Sequence, residues 1–282
     1  MSEALSDPAP PPSRRKPWPS RWLGSLRRRA APEAALKREI LDKQRQINNL
    51  ERVVRHLLRE NGGRCLLPPP WIRLHVGAVD DAANYWKQGL NSSLRVREIF
   101  GDDPGGLVLD WGCGPGRTMH WLVRQGTWGA NYRGCDLDLE ALAWLAKAKV
   151  RAVSACGALP PLPYPDEHFS GLFAFSVLTH IHPEHHRAWY EEIRRVLKPG
   201  GRAYVTLHGD AHQAVREPLS GQALRDYLAK GWRFSPHQGH CKSAATATEA
   251  FTREALKGLL EVSWYHSGGY GYMDDMLLVR AG

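Results

Sequence analysis

An α/β fold with a mostly parallel sheet and helices on both faces is predicted by three observations. Strand and helix periods alternate from about residue 84 to residue 208, one short apolar strand runs directly into a glycine-rich turn, and an acidic residue closes the strand after it. Repeated strand-helix units of this size bury a parallel sheet under two helical layers and leave the carboxyl ends of the strands open for ligands.

The 282 residues are 43% apolar, enough for one substantial core and a smaller appendage. Cys65, Cys113, Cys135, Cys156 and Cys241 stand singly, with no Cys-x-x-Cys pair and no ligand-like histidine spacing. Neither a disulfide framework nor a metal site is expected, and a reducing compartment fits. Met1 to Pro12 is Pro-rich and polar where a signal peptide needs an apolar run, and no stretch of about 18 apolar residues occurs. A soluble, cytoplasmic protein is therefore expected.

The formal charge of +9 is concentrated in a basic tail over residues 1–32, where Arg14, Arg15, Lys16, Arg21, Arg27, Arg28 and Arg29 are interleaved with Trp18, Trp22, Leu23 and Leu26. That composition suits the anionic inner face of a membrane, nucleic acid, or a merely solvated tail. Over residues 33–61, Leu36, Ile40, Ile47, Leu50, Val54 and Leu57 fall on heptad a and d positions, with Lys43 interrupting the seam. This predicts an N-terminal coiled-coil helix that makes a homo-oligomer, engages a partner protein, or folds back on its own domain. Gly62-Gly63 ends it, and Leu67-Pro68-Pro69-Pro70 reads as a stiff extended stretch within a linker over 62–83.

The main domain is expected over 84–282. Tyr85–Phe100 reads as an amphipathic helix, Leu107–Asp110 as a buried strand and Arg117–Gln125 as a helix. Strand Tyr132–Asp136, helix Leu139–Ala148, strands Val150–Val153 and Leu172–Ser176, and helix Pro183–Leu197 follow. Arg202–His208 alternates as a strand after the turn Lys198-Pro199-Gly200-Gly201. Residues 209–250 show no regular period, while Leu259–His266 and Met273–Val279 supply two last strands. The His-, Ser- and aromatic-rich stretch within 209–252 suits a lid over a substrate, or an ordinary surface excursion.

The densest chemistry lies in Val108-Leu109-Asp110-Trp111-Gly112-Cys113-Gly114-Pro115-Gly116-Arg117. Glycine at 112, 114 and 116 permits positive φ and close approach of backbone to a ligand, and Asp110 can accept hydrogen bonds from loop amides or a ligand amine. Asp136 follows about 20 residues later, where a carboxylate can hold both hydroxyls of a ribose. Glycine turns also occur in dinucleotide enzymes, but those typically run Gly-x-Gly-x-x-Gly without the leading Asp.

Asp-x-Gly-x-Gly-x-Gly here resembles the first motif of class I S-adenosylmethionine-dependent methyltransferases. Gly134-Cys135-Asp136-Leu137-Asp138, Pro161 to Phe169 and Arg195 to Arg202 resemble further blocks of that family, in the same order. The resemblance covers about residues 84 to 208 and implies a Rossmann-like seven-stranded sheet whose last strand is antiparallel. It also implies S-adenosyl-L-methionine as cofactor, with Asp110, Gly112, Cys113, Gly114 and Gly116 at the methionine end, and Asp136 and Leu137 at ribose and adenine. Ala158 stands where many relatives carry an Asp that touches the adenine, and Ser170 where they carry an Asp after the phenylalanine. Ser176 borders the same region.

Methyl transfer needs alignment and a proton acceptor rather than a fixed motif. His180 and His208, at the ends of the fourth and fifth strands, are the candidate bases, with Asp210 to orient one of them. His182, His185 and His186 read as a solvated helix start, and Tyr85 and Trp86 as core rather than a cover for the cofactor. Ser176 to His180, Trp189 to Leu197 and Thr206 to Asp210 resemble a bacterial branch associated with polysaccharide assembly. That resemblance implies O-methylation of a sugar hydroxyl on a glycan or related small molecule. An RNA methyltransferase using the basic tail and a cofactor-binding scaffold without turnover are the competing readings.

Overall fold

The computed structural model describes residues 67–76, 82–124, 127–150, 152–215, 218–236 and 243–282. The basic tail, the coiled-coil segment and part of the expected linker lie outside the described residues. Seven strands form one sheet: β1 (Val108–Trp111), β2 (Tyr132–Asp136), β3 (Val153–Ala155), β4 (Phe169–Ala174), β5 (Leu197–Leu207), β8 (Glu261–Tyr270) and β9 (Met273–Val279). Their order is β3-β2-β1-β4-β5-β9-β8. The pairs among β1 to β5 are parallel, whereas β9 is antiparallel to both β5 and β8, as the sequence predicts for the last strand. A second sheet pairs β6 (Trp232–Ser235) with β7 (Ala244–Ala247), antiparallel.

The chain winds one way from β1 to β3 and the other way from β4 to β5, so a crevice opens between the carboxyl ends of β1 and β4. All four residues of β1 are buried, because both faces of the sheet are covered. Val108 packs with Val96, Phe100, Phe173 and Tyr204 beneath helix α2 (Ala82–Phe100). On the other face Leu109 and Trp111 pack with Trp189, Tyr190, Ile193 and Val196. Those four come from a helix that, after α1 (Pro70–Leu74), α2, α3 (Met119–Leu122), α4 (Trp128–Asn131) and α5 (Leu139–Lys147), is α6 (His186–Val196).

Several boundaries differ from the sequence expectation, each for a local reason. Pro70 sits in the first turn of α1 instead of extending a linker, a position where its missing N–H costs nothing. The helix expected from Arg117 is only α3, since Gly116 at φ 79° holds the chain in a turn up to Thr118. Val150 donates its N–H to Leu145 and closes α5, so β3 starts at Val153. Ser176 has left β4, with φ 60° and its N–H donated to Thr206 Oγ1. Pro183–His185 is a 3-10 turn ahead of α6, and Leu197 already pairs with Phe169 as the start of β5.

The described residues of the stretch expected to be irregular form regular elements. It holds α7 (Asp210–Val215), α8 (Gly221–Lys230), β6, β7 and the start of α9 (Glu249–Leu256), whose first turn is capped by Thr248 Oγ1 accepting from Phe251 N. Ala244–Ala247 is built of Ala and Thr alone and so carries no large-apolar alternation to announce a strand. β8 runs on to Tyr270 through a register shift between His266 and Tyr270.

Strand β9 carries two fully buried carboxylates. Asp275 accepts from Arg95 at 2.8 Å and Tyr204 Oη at 3.0 Å, and Asp274 accepts from Tyr265 Oη at 2.7 Å and from Ser267 and Gly268 N. Removing one partner of a buried pair strands the other charge. Arg95→Met is expected to lower unfolding free energy by about 3 kcal/mol, and Tyr204→Phe by about 1 kcal/mol, both read from chemical denaturation.

Candidate functional site

At the carboxyl edge of β1, β2 and β4 lies a cavity of about 760 Å³, lined by residues of the glycine turn, the ends of β2 and β4, and the segment from Leu74 to Val76. The turn is held against β2 by three hydrogen bonds. Gly112 N and Cys113 N donate to Cys135 O at 2.8 and 3.0 Å, and Gly114 N donates to Asp136 Oδ2 at 2.6 Å. All three glycines have positive φ, at 79°, 51° and 79°. A side chain at Gly112 would also collide with the methyl of Val177.

Asp110, Gly112, Cys113, Gly114, Asp136, Leu137, Ala158, Ser176, His180 and His208 all line this cavity. Gly116 and Asp210 are not among its lining; Gly116 packs instead against Met119 and Leu145. Asp136 uses one oxygen for Gly114 and the other for Asp138 N at 2.8 Å, and burial raises its pKa. A carboxylate oxygen has more than one lone pair, so Asp136 can accept further hydrogen bonds where it lines the cavity.

The partner of Asp110 is Tyr132 Oη, which donates to it at 2.8 Å, rather than a loop amide. Asp110 is buried to 3% exposure, and that desolvation pushes its pKa up to about 7.

The histidines divide by their surroundings. His180 Nδ1 lies 2.8 Å from Ser243 O, and the ring is exposed to the cavity. His208 is stacked on His212 at 3.6 Å, and burial lowers its pKa to about 3. Asp210 accepts from Tyr227 Oη at 3.0 Å, so it steadies α8 rather than orienting an imidazole. His182 caps the turn after it by accepting from Glu184 N. His186, expected to be solvated, is buried, with Nε2 near the carbonyls of Leu178 and Ile181 and a pKa lowered to about 4 by burial. Tyr85 and Trp86 are core, as expected.

Sequence reasoning missed the roof and one cation. His75 Nδ1 meets Asp138 Oδ2 at 2.5 Å, which ties α1 over the end of β2. Arg117 lines the cavity, donating to Gln88 Oε1 at 2.5 Å and Val76 O at 3.2 Å, and among the described residues no carboxylate forms an ion pair with it. The proline run concealed the first, and the expected helix absorbed the second. Ser170, in place of the familiar Asp, donates to Leu107 O at 3.1 Å. Arg195 joins two of the sequence blocks by donating to Tyr164 O and Asp166 at 2.9 and 2.7 Å.

The raised pKa of Asp110 has a pH signature. Its unfolded value is about 3.9, so between about pH 4 and pH 7 the folded state holds the proton more tightly and stability falls as pH rises. Asp110→Asn, which still accepts from Tyr132, is expected to match the parent near pH 4 and to exceed it in melting temperature near pH 8. Calorimetric melts across that range measure it, and parallel curves would refute it.

Residues 109–205 match the family described as "Methyltransferase domain". Among curated proteins, the chain is 32% identical over 135 residues to a probable tRNA methyltransferase 9B of Mus musculus, covering 46% of this chain and 29% of that protein. It is 28% identical over 178 residues to the methyltransferase GfsG of Streptomyces halstedii, covering 61% and 58%. It is 33% identical over 124 residues to a malonyl-[acyl-carrier protein] O-methyltransferase of Herminiimonas arsenicoxydans, covering 43% and 45%. The chain thus spans less than two thirds of each of these relatives. A crystal structure of a Pyrococcus horikoshii protein shares the fold, with a TM-score of 0.50 and 16% identity over 71% of this chain and 92% of that one. Residues 109–205, which hold the glycine turn and the acidic end of β2, are thus the part of the chain that is similar to the methyltransferase domain family, and that similarity implies S-adenosyl-L-methionine as cofactor.

Proposed function

We propose that this chain transfers a methyl group from S-adenosyl-L-methionine to a hydroxyl oxygen, the acceptor being a sugar of a glycan or a related small molecule. The observation that carries the reading is an imidazole, His180, exposed in the same cavity as the glycine turn, with one ring nitrogen held by a backbone carbonyl. When bound, the cofactor supplies an electrophilic methyl on a sulfonium. The chain's task is then to hold both reactants in line and to take up the hydroxyl proton as the new C–O bond forms and the C–S bond breaks.

The residues present fit that cofactor. Asp136 offers its remaining lone pairs to ribose hydroxyls, while Leu137, Ala158 and Leu159 give an apolar bed for a base. Arg117, which has no acidic partner among the described residues, would hold the carboxylate of the methionine moiety, since a partly buried charge is stabilised by an opposite one. His180 serves as proton acceptor in preference to His208, whose pKa of about 3 makes it a weak base at neutral pH. The bacterial polysaccharide resemblance of Ser176 to His180 and Thr206 to Asp210 supports a sugar acceptor, and the malonyl-[acyl-carrier protein] O-methyltransferase is a relative whose name states O-methylation. The coiled-coil segment would serve self-association, and the basic tail a membrane surface.

RNA is the second reading, favoured by the tRNA methyltransferase relative and the basic tail. It requires strongly salt-dependent RNA binding that is lost when residues 1–31 are deleted.

Transfer of labelled methyl into fractionated host extract, scored separately in glycan, lipid, RNA and protein pools, is expected to mark the glycan or small-molecule pool; label confined to RNA favours the second reading. Arg117→Met and Asp136→Ala are each expected to weaken cofactor binding about 10-fold or more, the equivalent of about 1.5 kcal/mol. Titration calorimetry showing unchanged affinity would remove the corresponding contact.

A further inference from the structure

The antiparallel pair β6–β7 is fastened to both strand ends that carry the candidate bases, but in different ways. At β5 the attachment runs through the backbone: Thr246 bridges His208, and Ala247 N donates to His208 O at 3.0 Å. The Nδ1 of the His208 ring is buried, with no hydrogen-bond partner among the described residues. At β4 the attachment reaches the ring itself. Ser243, the residue before β7, presents its carbonyl to His180 Nδ1 at 2.8 Å, and its hydroxyl donates back to His180 O at 2.9 Å.

A carbonyl oxygen has no proton to give, so the bond at 2.8 Å requires that His180 Nδ1 carry the hydrogen. In the neutral ring Nε2 is then the unprotonated nitrogen. The return bond from the Ser243 hydroxyl fixes the main chain of His180 relative to that carbonyl, and ring and backbone are gripped by one residue.

We propose that Ser243 is a positioning residue for methyl transfer, clamping His180 in the Nδ1–H tautomer so that Nε2 is the ring nitrogen left to accept the hydroxyl proton. This rests on the reading of His180 as base. It gives the β6–β7 pair a task at the site: it delivers one carbonyl and one hydroxyl to one histidine. The proton leaves the acceptor oxygen for Nε2, the ring becomes imidazolium, and the Ser243 carbonyl keeps accepting from Nδ1 throughout.

The tautomer is measurable without an acceptor. The full chain labelled with nitrogen isotope in histidine, held near pH 8 where a neutral imidazole dominates, gives ring-nitrogen shifts that distinguish the tautomers, with His180 assigned by the loss of its signals in His180→Gln. The expected result is Nδ1 protonated in the parent, a partial loss of that preference in Ser243→Ala, where the carbonyl remains but the hydroxyl bond that holds it against His180 is gone, and return to the parent pattern in Ser243→Thr. Methyl incorporation into the labelled acceptor pool is expected to fall about tenfold in Ser243→Ala, with cofactor affinity unchanged, and to recover in Ser243→Thr. A parent His180 in the Nε2–H form, or a Ser243→Ala protein whose tautomer equals the parent's, overturns the clamp. Undiminished transfer by His180→Gln overturns the base reading, and with it the catalytic use of the clamp, whatever the tautomer.

Discussion

Two strands lie side by side, and the loop leaving one is bound to the end of the other. The donors are the amides of Gly112, Cys113 and Gly114; the acceptors are the carbonyl of Cys135 and the carboxylate of Asp136. Turn amides that would otherwise need water are satisfied by β2, and the carboxylate that lines the cavity is oriented by the same act. Because the turn is built on positive φ, it takes this shape only where side chains are missing. The cavity floor, the placement of Asp136 and the late start of α3 all follow from that latch.

Around it the molecule places its polar groups in unusually dry positions. Asp110 sits in the third strand of the sheet with one tyrosine for company, and Asp274 and Asp275 sit in β9 with their own donors. Those donors offset part of the cost of desolvation, while Asp275 Oδ1 stays buried without a hydrogen-bond partner among the described residues. Arg117 differs, in that its hydrogen bonds go to neutral oxygens and no carboxylate among the described residues pairs with it.

Much of this was legible in the sequence. The strand-to-turn passage at Val108–Gly116 and the acid at 136 announced the sheet and the crevice, because glycine spacing and burial on both faces leave a dense local record. The two last strands were legible for the same reason, through runs such as Met276 to Val279. What escaped was set by contacts between distant segments. α1 is a single turn behind prolines and is fastened by His75 to Asp138, 63 residues away. β7 has no apolar alternation and owes its place to Trp232, Phe234 and the end of β5. The difference between His180 and His208 depends on a carbonyl and a stacked ring, neither of which a residue type discloses.

The acidic pair on β9 has a consequence for how this sequence can drift. A β-carbon at Gly209 would run into the carboxylate of Asp274, and one at Gly269 into that of Asp275. Each aspartate therefore occupies room that a distant glycine vacates, and neither member of a pair can be exchanged for a larger neighbour while the other stays. A larger residue at 209 therefore requires a smaller one at 274, and a larger one at 269 a smaller one at 275, which ties the volumes of each pair together.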